Sequence, residues 1–240
     1  SILLAVSTLA PAKAARSTVI LHETNTLTGL KSSVTGYNLV TNSAVVYLTS
    51  SGFNYYDDQK NIIPNTIFGS YKIAKSTNTD FRTQWTVNTG RLWSDGTPIT
   101  GHDLLLSHIL SSNAYSIAAG LGDPLDKTKV PAFNSLGYSS TYNNNIDGEP
   151  TLSTDKMSVT LKFKKKIANW DLFGPGASPV HALVLMSEGK TSLQSASENL
   201  AAKERFLEAF LAKDTKVLKA IADVWSKDYN ITEVNSKTNP

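Results

Sequence analysis

Residues 91–106 read RLWSDGTPITGHDLLL, and this stretch constrains the fold more than any other. Asp95-Gly96 marks a tight turn, because glycine enters the positive-φ region without a steric penalty. Pro98 has no amide hydrogen to give to a ladder, so it stops a central strand. Thr100 with Asp103 three residues later forms a near capping box, with Asp in place of the usual Glu, and predicts a helix over residues 101–112. A chain written this way changes from strand to helix within ten residues. That change implies a mixed α/β, α+β architecture, with Trp93 closing the strand and Asp95 and Asp103 serving the turn and the cap.

The flanks agree with that grammar. Phe68, Tyr71 and Ile73, then Phe81, Trp85 and Val87, suggest successive strands broken at Gly69 and at residues 76–80. They predict a small antiparallel sheet subdomain over about 50–100. Upstream, residues 17–22 read as a short buried strand opening into the polar run Glu23, Thr24, Asn25, Thr26. Residues 44–48 are apolar after a Ser/Thr/Asn-rich run and fit either helix or strand.

Downstream, Leu104, Leu105, His108 and Ile109 are the expected core positions of the first helix. Residues 113–150 carry little pattern and read as a long loop or crossing. Met157, Val159, Leu161 and Phe163 alternate as a half-exposed strand, and Lys164, Lys165 and Lys166 behind it read as a solvated guard on an edge. Leu193, Ala196, Leu200, Leu207 and Phe210, followed by Val217, Ile221, Val224 and Trp225, predict two C-terminal helices, the second from about Asp214.

Several function classes lose support at this level. The chain has 240 residues and a net charge of +3, so no strong field attracts a nucleic acid, and no nucleic-acid partner is expected. It has 0 Cys, which removes disulfides, thiolate metal sites and a cysteine nucleophile. The four histidines form no H-E-x-x-H pair, and His102 and His108 fall on opposite sides of a helix. No metal site is expected. Phosphate-cradling, dinucleotide and nucleophile-elbow motifs are also missing, and Gly174-Pro175-Gly176 reads as a turn. No catalytic residue and no cofactor are expected. Residues 1–11 are apolar and small and Ala12-Lys13-Ala14 after them has the form of a signal-peptidase site, so 1–15 read as an export-leader remnant, which leaves 16–240 as the body.

The segment WSDGTPITGHDL at 93–104 resembles the pattern W-S-D-G-T-P-[IV]-T-A-x-D-[LV] of extracellular solute-binding proteins of ABC importers, of the peptide/nickel-type (oligopeptide/dipeptide-binding) family, actinobacterial type. FNYYDDQKNIIPNTIFGSYK, LSTDKMSVTLKFKKKIANWDLF and SPVHALV resemble further stretches of that family, the last with His181 at a family-type position near a helix start. Departures are Gly101 where alanine is common, Ile167 near a usual proline and Val180 for alanine. The likeness spans roughly residues 19–225.

It implies a periplasmic-binding-protein-like lobe forming the N-terminal part of a protein at least twice as long. That protein would be the exported, cell-surface substrate-binding component of an ABC importer, held by an anchor outside this chain. It would capture a peptide or other small solute and deliver it to an ABC permease complex, breaking no bond. The resemblance places the end of the first strand in the ligand cleft. There Glu23 would take a ligand ammonium and Asn25 or Thr26 a peptide amide, with Thr24 beside them. The alternative is a surface interaction or glycan-binding module that reuses the fold, presenting Tyr55, Tyr56, Tyr138 and Tyr142.

Overall fold

A computed structural model describes residues 20, 22, 25–190 and 194–227. The strand β4 (Phe81–Val87) has the period of a one-sided sheet: Phe81, Thr83, Trp85 and Val87 are buried and the residues between them are not. It pairs antiparallel with β3 (Gly69–Ser76) on one side and β6 (Ser158–Phe163) on the other, and the short β5 (Thr151–Leu152) adds to β6. The order β3-β4-β6-β5 sets Trp85 opposite both Tyr71 and Val159, and Phe81 opposite Phe163. Tyr71 stacks on Trp85 with ring centres 4.4 Å apart, and Phe53 meets the same indole edge-on at 5.1 Å. Such aromatic pairs add roughly 0.5–1.5 kcal/mol each beyond burial. Phe53 precedes a separate two-stranded hairpin, β1 (Asn54–Tyr56) with β2 (Ile62–Pro64), turned at Asp57, whose Oδ1 accepts the Gln59 and Asn61 amides.

Two expectations about this sheet are corrected. Trp93 does not close a strand: β4 ends at Val87, and Trp93 opens the turn that follows, donating its amide to the Thr97 carbonyl at 2.8 Å. Lys164, Lys165 and Lys166 are exposed as expected, yet β6 is no edge, because β5 pairs on its outer side.

The helices follow the expected apolar spacing. α2 (His102–Ile109) buries Leu104, Leu105, Leu106, His108 and Ile109. It is shorter than the predicted 101–112, because Ser112 caps a new helix, α3 (Asn113–Ala118), by accepting the Tyr115 amide. With α4 (Ser140–Asn145), α3 gives structure to the stretch that read as loop. A 3-10 turn (Trp170–Phe173) leads to α5 (Val180–Ser187), apolar on all sides and buried up to Met186. α6 (Ala196–Ala212) and α7 (Thr215–Lys227) pack on it. Ser195 caps α6 and Asp214 caps α7. Ala202, Phe206, Leu207 and Phe210 face inward while Leu200 faces solvent; Leu193 lies outside the described residues.

The ambiguous segment is α1 (Val40–Thr49), a helix. The expected strand at 17–22 is not seen at its described positions: Ile20 and His22 are exposed and unpaired in any strand, and the other four lie outside the described residues. Trp85, Phe133, Phe206, Phe210 and Trp225 belong to one continuous core, so sheet and helices share a single apolar interior. Among the described residues no helix is long and apolar enough to cross a membrane.

Candidate functional site

The turn at residues 93–100 is where the polar chemistry of the molecule concentrates. Gly96 sits at φ +84, which a β-carbon would strain, and Asp95 Oδ1 accepts the Thr97 amide at 2.9 Å. The other Asp95 oxygen is 2.7 Å from Nε2 of the buried His181 on α5. Burial works to raise the Asp95 carboxyl, but the Thr97 amide and the His181 ring outweigh it and hold it below the usual range.

Only half of the capping box forms. Asp103 Oδ2 accepts the Thr100 amide at 2.9 Å, which is the carboxylate half of a capping box. The Thr100 hydroxyl, however, meets His102 Nδ1 at 3.1 Å and accepts from Lys203 at 3.3 Å, so it caps nothing. The reason is competition: a buried ammonium and an imidazole both need an oxygen there.

Asp103 is 0% exposed and pairs with Lys203 of α6, which is 1% exposed. Lys203 also donates to the Pro98 carbonyl at 2.6 Å, and Asp103 Oδ1 receives the Val180 amide at 3.3 Å. Burial lowers the Lys203 ammonium, opposed by the Asp103 charge. Asn199 Nδ2 donates to Thr97 Oγ1 at 2.8 Å, and His102 Nε2 lies 3.2 Å from Glu204. Burial depresses the His102 pKa, with the Glu204 charge opposing it.

The cluster therefore fastens the strand-to-helix turn to α5 and α6. The Asp103 and Lys203 charges are spent on each other out of solvent, which fits a structural part, while Glu204 at the edge of the cluster is half-exposed. Sequence reasoning found Asp95, Asp103 and His181 but missed Lys203, Asn199 and Glu204. The available signal was a lysine on the apolar side of α6, at the spacing 199, 202, 203, 206, 210, since a buried lysine requires an acid.

A second place is a cleft of ≈ 310 Å³ between α3 and α4, with His108, Tyr115 and Tyr142 in its wall and Glu149 and Lys164 also lining it. His108 Nδ1 and the Tyr142 hydroxyl are 2.9 Å apart. Burial, helped by the Lys213 charge, pushes His108 down to about 4, and burial raises Tyr142. His108 and Tyr115 are themselves buried and engaged, His108 with the Tyr142 hydroxyl and Tyr115 with the Phe210 carbonyl, so they back the cleft and leave its mouth to Tyr142, Glu149 and Lys164.

Of the four residues expected to bind ligand, Glu23 and Thr24 lie outside the described residues. Asn25 and Thr26 are exposed, and the Asn25 carbonyl accepts Thr41 Oγ1 of α1 at 3.2 Å. Behind them Asn42 accepts the Thr28 amide at 3.0 Å and donates to the Tyr37 carbonyl at 2.8 Å, so the loop is tied to α1. Among the tyrosines expected on the surface, Tyr55 and Tyr56 are exposed. Tyr138 and Tyr142 are half-buried, the latter because His108 holds its hydroxyl.

No protein-family model and no curated protein matches the chain. Among solved structures it is similar to the oligopeptide binding protein from Thermus thermophilus complexed with pentapeptide, at 14% identity and a TM-score of 0.40. The match covers 75% of this chain and 29% of that one, so the chain spans less than a third of that protein's length.

Proposed function

We propose that this chain is the N-terminal part of an exported solute-binding protein that captures peptides or similar small solutes and passes them to an ABC permease. The supporting observation is a meeting of two separate stretches of the resemblance. WSDGTPITGHDL contributes Asp95 and SPVHALV contributes His181, and they touch at 2.7 Å although 86 residues apart. A chance match of one short motif does not bring its counterpart to it.

In this reading residues 1–15 are a leader remnant, residues 16–240 form one portion of the binding protein with its sheet subdomain, and Glu23, Thr24, Asn25 and Thr26 border the ligand. The tie between Asn25 and α1 supports that assignment, because a clamp needs hydrogen-bonding groups held in place before the solute arrives. Capture by clamping buries the solute between two bodies, so this chain alone is expected to bind weakly. Calorimetry with a mixed library of short peptides tests the proposal. Micromolar heat from the polypeptide extended by the downstream reading frame is expected, and no peptide binding by that extended protein would overturn it.

Exposed Tyr55 and Tyr56 favour a second reading, a surface module contacting a glycan or another protein. Loss of such binding in Tyr56→Ala, with no peptide binding by the parent, would select it.

A further inference from the structure

The lysine run at residues 164–166 loses its first explanation once the sheet is in view. A guard on an open edge is not needed there, because the outer side of β6 is covered at its end. The Asp147 amide donates to the Lys162 carbonyl at 2.9 Å and the Lys164 amide to the Asn145 carbonyl at 2.8 Å. Lys164, Lys165 and Lys166 are nevertheless all exposed. Lys164 donates to the Asn143 carbonyl at 2.6 Å, which leaves its charge uncompensated, and no ion pair among the described residues reaches Lys165 or Lys166.

The outer face of the same sheet extends this charge. Register sets Lys75, Arg82 and Lys162 side by side in one row across β3, β4 and β6, with Lys72, Gln84 and Thr160 in another. Lys72 and Lys75 are three apart and would point to opposite faces of a regular strand. The bulge between Ile73 and Lys75 adds the residue that returns Lys75 to the outer face. Neighbouring strands lie about 4.8 Å apart, so the row of three cations spans about 10 Å, one Debye length at about 0.1 M salt. Asp80 answers Lys75 and Arg82, Asp147 answers Lys162, and Glu149 nearby is matched by Lys213. With the run at 164–166 and Lys72, seven cations face two acids, Asp80 and Asp147. That surplus of five sits in a chain whose total is +3, so the remainder of the molecule is net negative.

We propose that this basic end of the sheet is a contact surface for the anionic headgroups of a lipid bilayer. The two rows carry Lys, Arg, Gln and Thr and no aliphatic or aromatic side chain, so nothing there enters hydrocarbon or stacks on a base. Contact is made at headgroup level, where several ammonium groups meet several phosphates and their effects add within a Debye length. Nucleic acid gains affinity by having phosphates neutralised along a track, whereas here the charge is confined to one end of a molecule that is otherwise net negative. A bilayer surface asks for one charged end only, with the remainder standing off it. The inference is independent of the solute-capture reading.

Co-sedimentation of the 240-residue chain with vesicles tests it. Vesicles of phosphatidylcholine with about a third phosphatidylglycerol should carry the protein down in about 0.1 M salt and release most of it in about 0.5 M salt. Pure phosphatidylcholine vesicles should leave it in solution. Lys165→Glu/Lys166→Glu should weaken the partition at least about tenfold, and Lys72→Gln/Lys166→Gln gives the same reading in milder form should the first variant fold poorly by circular dichroism. Lys216→Glu/Lys219→Glu makes the equal change of charge at exposed positions of α7 and should leave binding within about twofold of the parent. Absence of binding to the anionic vesicles overturns the proposal, as does equal binding to the neutral ones or equal loss in the α7 variant. Tighter binding to a duplex DNA of about 20 base pairs than to the anionic vesicles in the same salt also overturns it.

Discussion

Replacing Lys203 by Met leaves the shape of α6 intact and removes the charge that balances Asp103. In the folded protein Asp103 is wholly buried, with Lys203 and the amides of Thr100 and Val180 around it. Breaking a buried pair from one side costs about 3–5 kcal/mol, because the remaining charge is desolvated without compensation. The two amides still support the carboxylate, which argues for the lower end, while the Pro98 carbonyl loses its side-chain donor, which argues against going below it. About 3 kcal/mol is expected.

With a urea slope of roughly 2–3 kcal/mol/M for a chain of this size, the unfolding midpoint should fall by about 1–1.5 M. Tryptophan fluorescence reports it, since Trp85 and Trp225 are both core residues. The reverse removal, Asp103→Asn, behaves differently with pH. Burial already lowers the Lys203 pKa, and without the Asp103 charge it falls further. Between that folded value and the unfolded lysine value the unfolded state binds more protons, so Asp103→Asn should gain stability as pH rises into the alkaline range, more steeply than the parent. A Lys203→Met variant within about 1 kcal/mol of the parent would refute the reasoning.

Three further outcomes follow from the same geometry. A β-carbon at Gly101 would stand 2.5 Å from Leu152 Cδ1 and 2.9 Å from the Lys156 carbonyl, so Gly101→Ala should destabilise by about 1–3 kcal/mol in urea, partly restored by Leu152→Ala. His108, held at about 4, is neutral where an unfolded histidine at about 6.5 takes a proton; stability should therefore fall as pH drops from about 6.5 to about 4, by about 3 kcal/mol in all, and His108→Phe should flatten that decline. Thr100→Ala should cost about 0.5–1.5 kcal/mol through the lost contacts to Lys203 and His102, and the double variant with Lys203→Met should cost less than the two single losses added.

What the sequence showed and what it hid divide along chain separation. β4 and β6 were legible because alternation is local, and the start of α2 because Pro98, Thr100 and Asp103 are neighbours. α1 was not, because an apolar run with polar residues at its buried positions has no period that separates helix from strand. The Thr100 cap was half right: the carboxylate half depends on residues three apart, while the hydroxyl was taken by Lys203, 103 positions away. Tyr142 read as exposed until His108, on another helix, claimed its hydroxyl. Gly101, which departs from the alanine common in the resembling family, is explained only by Leu152 of β5 and Lys156 of the turn that follows it. Two of the four expected ligand residues, Asn25 and Thr26, fall where hydrogen bonds to α1 hold the loop, a tie that their sequence does not announce.

The most direct measurement of the central claim is a paired titration of the extended protein with short peptides and with neutral oligosaccharides of similar mass, repeated on the Glu23→Ala/Asn25→Ala variant. The account predicts saturable peptide binding, weakened at least about tenfold, or about 1.4 kcal/mol, in the variant, and no saccharide binding. Saturable saccharide binding with none of any peptide, or peptide binding untouched by the double substitution, would contradict it.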